Sequence, residues 1–401
     1  MASLDRREFL RRGAAAGVAL SLPALSGAAA EEPRVRRRVV LGRTGISISD
    51  IGFGSSRLSG DEAVVRHALE RGIDYFDTAE DYSSGASEET LGRTLRGVRN
   101  RVTIASKVSA EANSRVADLF RALDGSLRRL QTDRIDIYFN HAVNDVDRLR
   151  NPEWAEFNAR AKQQGKIRFT GMSGHGGRLC ECLDYAFDHD LVDVVLVGHN
   201  YGQDPAFYQR FTKSLDFVAV QPDLPRLLAK AKQKKVGVIA MKTLRGARLN
   251  DMRAYEREGG TFAQAAFRWV LSQPHVDALI VSMTSKEQID EYLGASGTER
   301  VSQSDLLLLA RYEQRNAATQ CRYGCGACLS SCPEDVPIDA VLRTRMYAED
   351  YGAPEFARAE YAALGRGAQA CLGCAHRACT GACPHGIDIA SLTVRAHDLL
   401  G

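Results

Sequence analysis

Gly72-Ile73-Asp74-Tyr75-Phe76-Asp77-Thr78-Ala79-Glu80-Asp81-Tyr82 runs from a turn glycine through a short apolar strand into a polar loop. Asp74–Thr78 reads as the strand, and an amphipathic helix, Ser87–Arg96, follows at once. The same unit recurs through the middle of the chain. Strands are expected at Asp50–Phe53, Asp74–Thr78, Val102–Lys107, Ile135–His141, Ile167–Ser173, Val192–Asn200, Val236–Thr243 and Ala278–Met283. Helices are expected at Glu62–Arg71, Ser87–Arg96, Val116–Leu130, Trp154–Gln164, Arg178–Asp188, Asp223–Lys235, Thr261–Ser272 and Lys286–Leu293. Eight strands alternating with eight helices call for parallel pairing through right-handed crossovers, hence an α/β fold of the (β/α)8, or TIM, barrel type over residues 36–300. The stretch from Tyr201 to Pro222 is longer than an ordinary strand-to-helix loop and would sit over the mouth.

Barrel chemistry takes place at the C-terminal ends of the strands. Asp77 ends the second strand, Tyr82 follows in the next loop, Lys107 ends the third strand and His141 the fourth. A buried lysine beside a tyrosine lowers the phenol pKa through its positive charge, and a carboxylate beside the lysine preserves that charge. A histidine across the site can hydrogen-bond a carbonyl oxygen. Such a set can protonate an oxygen while hydride arrives at carbon.

These residues carry a resemblance. Gly72 to Tyr82, with Ser87-Glu88-Glu89-Thr90-Leu91-Gly92 after it, resembles the aldo/keto reductase family over roughly residues 38 to 295. The family's Asp, Tyr, Lys and His tetrad falls on Asp77, Tyr82, Lys107 and His141. The resemblance implies a small-molecule carbonyl substrate, NADP or NAD as hydride donor, Tyr82 as general acid, Lys107 and Asp77 as its tuners, and His141 as the residue that orients the carbonyl. The implied cofactor residues are Ser173, Asn200, Lys242, Thr284, Ser285 and Lys286. Met241-Lys242 fits the iron–sulfur branch of the family, and Thr284, Ser285 and Lys286 open a helix that can receive a phosphate. The carboxamide pocket departs from the pattern. Gly174 stands where the family has Asn, Leu196 where it has Gln, and His199 where it has Tyr.

Eight of the ten cysteines form two runs, Cys321, Cys325, Cys328 and Cys332 before Pro333, and Cys371, Cys374, Cys379 and Cys383 before Pro384. The runs repeat at steps of 50 to 51 residues. Apolar pairs follow each Cys-Pro, Val336 with Ile338 and Ile387 with Ile389, and a helix is expected after each. Bacterial ferredoxin-type proteins hold [4Fe–4S] clusters with a similar run, and in two-cluster members the fourth cysteine crosses to the other cluster. That logic assigns Cys321, Cys325, Cys328 and Cys383 to one cluster and Cys371, Cys374, Cys379 and Cys332 to the other. The implied unit is a small, mostly helical ferredoxin-like domain over residues 305–401 carrying two [4Fe–4S] clusters. Two zinc sites, a disulfide framework and a single cluster with spare thiols are the alternatives. Cys180 and Cys182 sit two apart on one expected helix, point to different faces and read as buried structural thiols.

Residues 1–30 resemble a twin-arginine signal peptide: Leu4-Asp5-Arg6-Arg7-Glu8-Phe9-Leu10, a weakly apolar stretch from Gly13 to Leu25, and Ala28-Ala29-Ala30 as a cleavage site. The expectation is export by the twin-arginine translocase to a periplasmic or other extracytoplasmic location. Folded cargo suits that route, because clusters are inserted in the cytoplasm. No other stretch is long and apolar enough to span, so no membrane span is expected in the mature form. Residues 1–30 carry four arginines and two acids, so their loss lowers the net charge from +3 to +1, which argues against a nucleic-acid surface. Three functions compete at this point. One is an exported NAD(P)H-dependent carbonyl reductase. Another is an exported electron-transfer protein whose clusters serve a redox partner protein. The third is a non-enzymatic binding module that keeps the barrel as scaffold, which only loss of the tetrad would favour.

Overall fold

The computed structural model describes residues 32–176, 178–203, 223–244, 252–257, 260–316, 319, 321, 325–349 and 354–401. The expected signal peptide, through residue 30, and the loop from residue 204 to Pro222 lie outside the described residues. Pro33–Gly401 form one compact unit.

The chain enters through an antiparallel hairpin, β1 (Arg38–Val40) and β2 (Ser47–Ser49), paired Arg38 to Ser49 and Val40 to Ser47. The sequence reading did not single this hairpin out. Eight parallel strands follow: β3 (Ile51–Gly54), β4 (Tyr75–Asp77), β5 (Thr103–Val108), β6 (Ile135–Asn140), β7 (Ile167–Gly174), β8 (Val194–Gly198), β9 (Gly237–Met241) and β10 (Ala278–Ser282). They pair in sequence order, and β10 closes on β3 with Leu279 opposite Ile51 and Ser282 opposite Gly54. The helices that wrap them are α1 (Glu62–Glu70), α2 (Ala86–Leu95), α3 (Val116–Arg129), a short α4 (Val146–Arg150), α5 (Pro152–Gln163), α6 (Leu179–Asp188), α7 (Leu224–Gln233), α8 (Phe262–Leu271) and α9 (Lys286–Leu293). Every expected strand and helix is present, with ends shifted by a residue or two. The expected eightfold α/β barrel is the fold.

Alternation along the strands decides which residues enter the barrel. Tyr75, Ala105, Ile137, Val194, Ile239 and Ala278 fill its interior, and Leu41, Ile46 and Ile48 of the hairpin segment join the same cluster. Neighbours one residue away, such as Phe76, Ile104 and Tyr138, pack outward under the helices. Two residues beyond Tyr75, Ala105 and the 137/139 pair stand Asp77, Lys107 and His141, so the period of two aims all three at the mouth.

After the barrel, α10 (Gln303–Asn316) lays Leu306, Leu309 and Tyr312 into the barrel's outer core, with the Tyr312 ring stacked on Phe262 at 4.4 Å. This helix crosses the expected boundary at residue 305. A separate apolar cluster holds the thiol-rich region: α11 (Ile338–Glu349), α12 (Pro354–Ala362), a short α13 (Ala378–Gly381) and α14 (Ile389–Leu400). Val336, Ile338, Ile387 and Ile389 are all buried there. The two copies match in backbone as well. Asp335 and Gly386 both take left-handed φ, and the N–H of Ile338 bonds Val336 O as that of Ile389 bonds Ile387 O, each at 2.8 Å. Among the described residues no helix is long and apolar enough to cross a membrane.

Candidate active site

Lys107 is buried at the end of β5, and its ammonium donates to Asp77 Oδ1 at 2.6 Å and to Thr78 O at 2.6 Å. Its third partner is Tyr82 Oη at 3.4 Å. The Tyr82 loop is a tight turn with Ser83 and Ser84 in left-handed φ. Ser87 Oγ bonds Ser55 Oγ at 2.6 Å and Thr78 Oγ1 at 2.8 Å. Buried Glu88 accepts from Ser106 Oγ at 2.5 Å and from Arg129 Nε at 2.7 Å. The Ser87–Gly92 motif thus anchors the turn that presents Tyr82.

His141 closes the other side, its ring edge-on to Tyr82 with centroids 5.7 Å apart. Its main chain is held by Val108 O at 2.9 Å and by Arg148, which donates to His141 O at 2.8 Å, Ala142 O at 3.1 Å and Ala110 O at 2.7 Å. Arg148 escaped the sequence reading, because an arginine on a short polar helix carries no signal of what it will clamp.

Burial sets the electrostatics. It pulls the Lys107 ammonium down, yet Asp77, with help from Tyr82, more than compensates and leaves it above its ordinary value. Burial raises the Asp77 carboxyl, and the Lys107 ammonium 2.6 Å away opposes that rise. The Tyr82 phenol rises, because its burial outweighs the pull of Lys107. The expected lowering by lysine is therefore present as a contribution but is not the net direction. A phenol held protonated suits a proton donor. Burial, then the charge of Lys107, pushes His141 down to about 3, so the imidazole is neutral near pH 7.

The expected cofactor residues lie around the same mouth. Ser173 is buried at the end of β7, where its Oγ accepts the Ala142 N–H at 2.9 Å. Asn200 donates from Nδ2 to Lys242 O at 3.2 Å. Thr284 donates both its N–H and its hydroxyl to Gln288 Oε1, at 2.9 and 3.0 Å. Ser285 caps α9 by accepting from Gln288 N, and Lys286 is exposed on its first turn. Leu196 is buried in the barrel interior, so no amide stands there. A separate cleft between α8 and α10, edged by Tyr255 and Arg311, contains none of these residues.

The eight clustered thiols line two cavities in the crossed arrangement. Cys321, Cys325, Cys328 and Cys383 face one, with Leu342 and Ile387. Cys332, Cys371, Cys374 and Cys379 face the other, with Ile338 and Val394. All ten cysteines are free thiols. The Val336 N–H points at Cys332 Sγ at 3.4 Å, and His385 Nε2 lies 3.8 Å from Cys325 Sγ. Among the described residues no three metal-binding side chains converge closely enough for a single ion. Cys182 is fully buried and Cys180 half-buried; burial pushes both thiols up to about 11, as suits structural residues.

A closed eightfold barrel with polar strand-end residues is compatible with many chemistries, and comparison with known proteins makes the class specific. The model of the aldo/keto reductase family matches residues 50–310. The chain belongs to that family. It is 28% identical to L-galactose dehydrogenase of Arabidopsis thaliana, over 64% of this chain and 86% of that protein. It is 27% identical to methylglyoxal reductase of Escherichia coli K12, over 57% and 76%. Among solved structures it resembles an aldo/keto reductase from Klebsiella pneumoniae in complex with NADP and acetate, at 27% identity and TM-score 0.54 over 69% of this chain and 95% of that one.

Proposed function

We propose that this oxidoreductase is an exported, iron–sulfur-containing carbonyl reductase that uses NAD(P)H. The observation that carries the reading is the bridge from Asp77 through Lys107 to Tyr82 at the ends of adjacent barrel strands. Tyr82 donates its proton to the carbonyl oxygen, and the Lys107 ammonium stabilises the phenolate left behind. Asp77 keeps that ammonium charged, and neutral His141 hydrogen-bonds the carbonyl oxygen and orients it. When bound, the nicotinamide supplies hydride to the carbonyl carbon. Ser173, Asn200, Lys242 and the start of α9 from Thr284 to Lys286 are the residues that would hold it. The NADP bound in the Klebsiella pneumoniae relative supports a nicotinamide dinucleotide as the cofactor.

The C-terminal region is read as a ferredoxin-like domain. Cys321, Cys325, Cys328 and Cys383 would hold one [4Fe–4S] cluster, and Cys332, Cys371, Cys374 and Cys379 the other. The four-thiol lining of each cavity supports this. Bound there, the clusters supply one-electron transfer. The twin-arginine motif at residues 4–10 supports export through the translocase to the periplasm.

A second reading is favoured by Leu196, an aliphatic residue where the carboxamide of nicotinamide is expected. On that reading the barrel does not use nicotinamide, and the clusters exchange electrons with a redox partner protein. Titration of anaerobically purified protein with NADPH and NADH separates the two. Micromolar binding, with carbonyl reduction lost in Tyr82→Phe, supports the reductase. Absence of binding to either dinucleotide overturns it in favour of electron transfer.

A further inference from the structure

Ala142, the residue after His141, takes left-handed φ of 51°, a conformation unfavourable to any residue with a Cβ. Such a backbone persists only where its surroundings impose it. Here two residues do so. Ser173 Oγ accepts the Ala142 N–H at 2.9 Å, and Ser173 O accepts the Val143 N–H at 2.7 Å. From the other side Arg148 Nη1 donates to the Ala142 carbonyl at 3.1 Å.

The rest of the Arg148 guanidinium reaches the residues before Ala142. Nη2 donates to His141 O and to Asn140 Oδ1, each at 2.8 Å, and Nε donates to Ala110 O at 2.7 Å. Asn140 is fully buried, and its Oδ1 also accepts the Ala110 N–H at 3.2 Å. One side chain thus ties the segment after β5 to three successive residues at the end of β6. Arg148 is 11% exposed, while the carboxylate it meets, Glu111 at 3.5 Å, is 58% exposed and screened by water. Neutral oxygens therefore hold this buried cation in place. A planar fork of donors fixes direction as well as distance. What it fixes is the backbone on both sides of the peptide that follows His141. That backbone sets the line along which the His141 ring leaves the strand toward Tyr82, which it meets edge-on.

We propose that Arg148 is a positioning residue for carbonyl reduction: it holds the His141–Ala142 backbone so that the His141 ring stays aimed at the carbonyl that Tyr82 protonates. Four of its five N–H donors are engaged within the protein, so it acts through His141 and not on the substrate. A hydrogen bond keeps its strength only over a narrow range of direction, so a ring free to swing slows the chemical step. The inference rests on the carbonyl-reductase reading for its rate arm, but the placement of the ring is measurable without turnover.

The experiment uses the full mature chain with its C-terminal region intact. It compares the wild type, Arg148→Lys, Arg148→Met and His141→Gln, and each arginine change combined with His141→Gln. The rate measured is kcat for benzaldehyde reduction by NADPH, at a temperature where circular dichroism finds the variants folded. Arg148→Met should lower kcat roughly ten- to hundredfold, the range for a misplaced catalytic group. Arg148→Lys keeps the charge but not the fork, and should lower it roughly three- to tenfold as hydrogen bonds are lost. In the His141→Gln background neither change should cost more than about twofold, the scatter between uncoupled sites. A loss there as large as in the wild type overturns the proposal, because Arg148 then acts independently of the ring. An unchanged kcat in Arg148→Met overturns it as well. If Arg148→Met does not fold, Arg148→Lys carries the same comparison, and a wild-type kcat in that variant overturns the proposal. Nuclear magnetic resonance of histidine labelled with carbon-13 at Cε1 supplies the second readout. The His141 signal, assigned by its absence in His141→Gln, should shift at fixed pH in Arg148→Lys, because the neighbouring Tyr82 ring makes that signal sensitive to placement. An unmoved signal overturns the proposal whatever the rates. If the wild type reduces no carbonyl, the reductase reading fails, and this signal still decides whether Arg148 positions His141.

Discussion

Lys107 and Asp77 are each about 1% exposed, so neither charge has water to fall back on. Removing one partner from a buried pair strands the other, at a cost of about 3–5 kcal/mol. Lys107→Met should therefore lower the free energy of unfolding in urea by about that amount, while Asp77→Leu with Lys107→Met regains most of it. A Lys107→Met variant as stable as the wild type would mean that the pair is not ionised. His141 yields a prediction in pH. Its folded value is about 3 against an ordinary 6.5, so between these values the unfolded chain binds a proton that the folded chain refuses. Stability then rises with pH through this window. His141→Gln removes the effect, so on going from pH 7 to pH 4 the wild type should lose about 3 kcal/mol more than the variant. Thermal melts at the two pH values measure the difference. The tetrad was legible because Asp77, Lys107 and His141 end strands of recognisable pattern. Arg148 was not, because its four carbonyl and amide partners come from segments as far apart as Ala110 and Ala142.

At the scale of elements, the eight strands were legible because each is a short β-branched or aromatic run bounded by turn residues. The hairpin β1–β2 was not, since its three-residue strands alternate too briefly to rise above loop. Its Leu41 and Ile48 are nonetheless fully buried in the barrel interior. Strand β7 shows how tightly the barrel is filled. A Cβ on Gly171 would lie 2.4 Å from Val194 O and 2.5 Å from the Phe139 ring. Gly171→Ala should thus cost about 1–3 kcal/mol as an overpacking change. Gly165→Ala is the wrong control, because Gly165 takes positive φ. Gly97→Ala meets nothing within 4 Å, and its denaturation midpoint should stay near that of the wild type. Equal midpoints for Gly171→Ala and Gly97→Ala would contradict the packing argument.

At the scale of the molecule, the crossed thiol sets make a prediction that spacing within one run cannot. Cys332 belongs to the first run in sequence but lines the cavity of the second. Protein prepared without oxygen should contain about eight irons and eight sulfides, the content of two [4Fe–4S] clusters. Cys332→Ser should reduce the signal of the cluster proposed for Cys371, Cys374 and Cys379, and Cys383→Ser that of the other, as read by iron content and electron paramagnetic resonance. Loss of the first-run cluster alone in Cys332→Ser would show that each run closes on itself.

The sequence by itself determined the barrel, its strand order, the four residues at its mouth and the twofold repeat of the cysteine runs. All of these are periodic or local, and a period of two, a strand–helix alternation or a Cys-Pro spacing survives without coordinates. Only the tertiary structure decided that burial outweighs lysine in setting the Tyr82 phenol. It alone closed Arg148 on the backbone around His141 and packed α10 on the barrel, although the expected boundary cut through that helix. Those outcomes depend on desolvation and on contacts between residues far apart in the chain. Neither is a property of any single stretch.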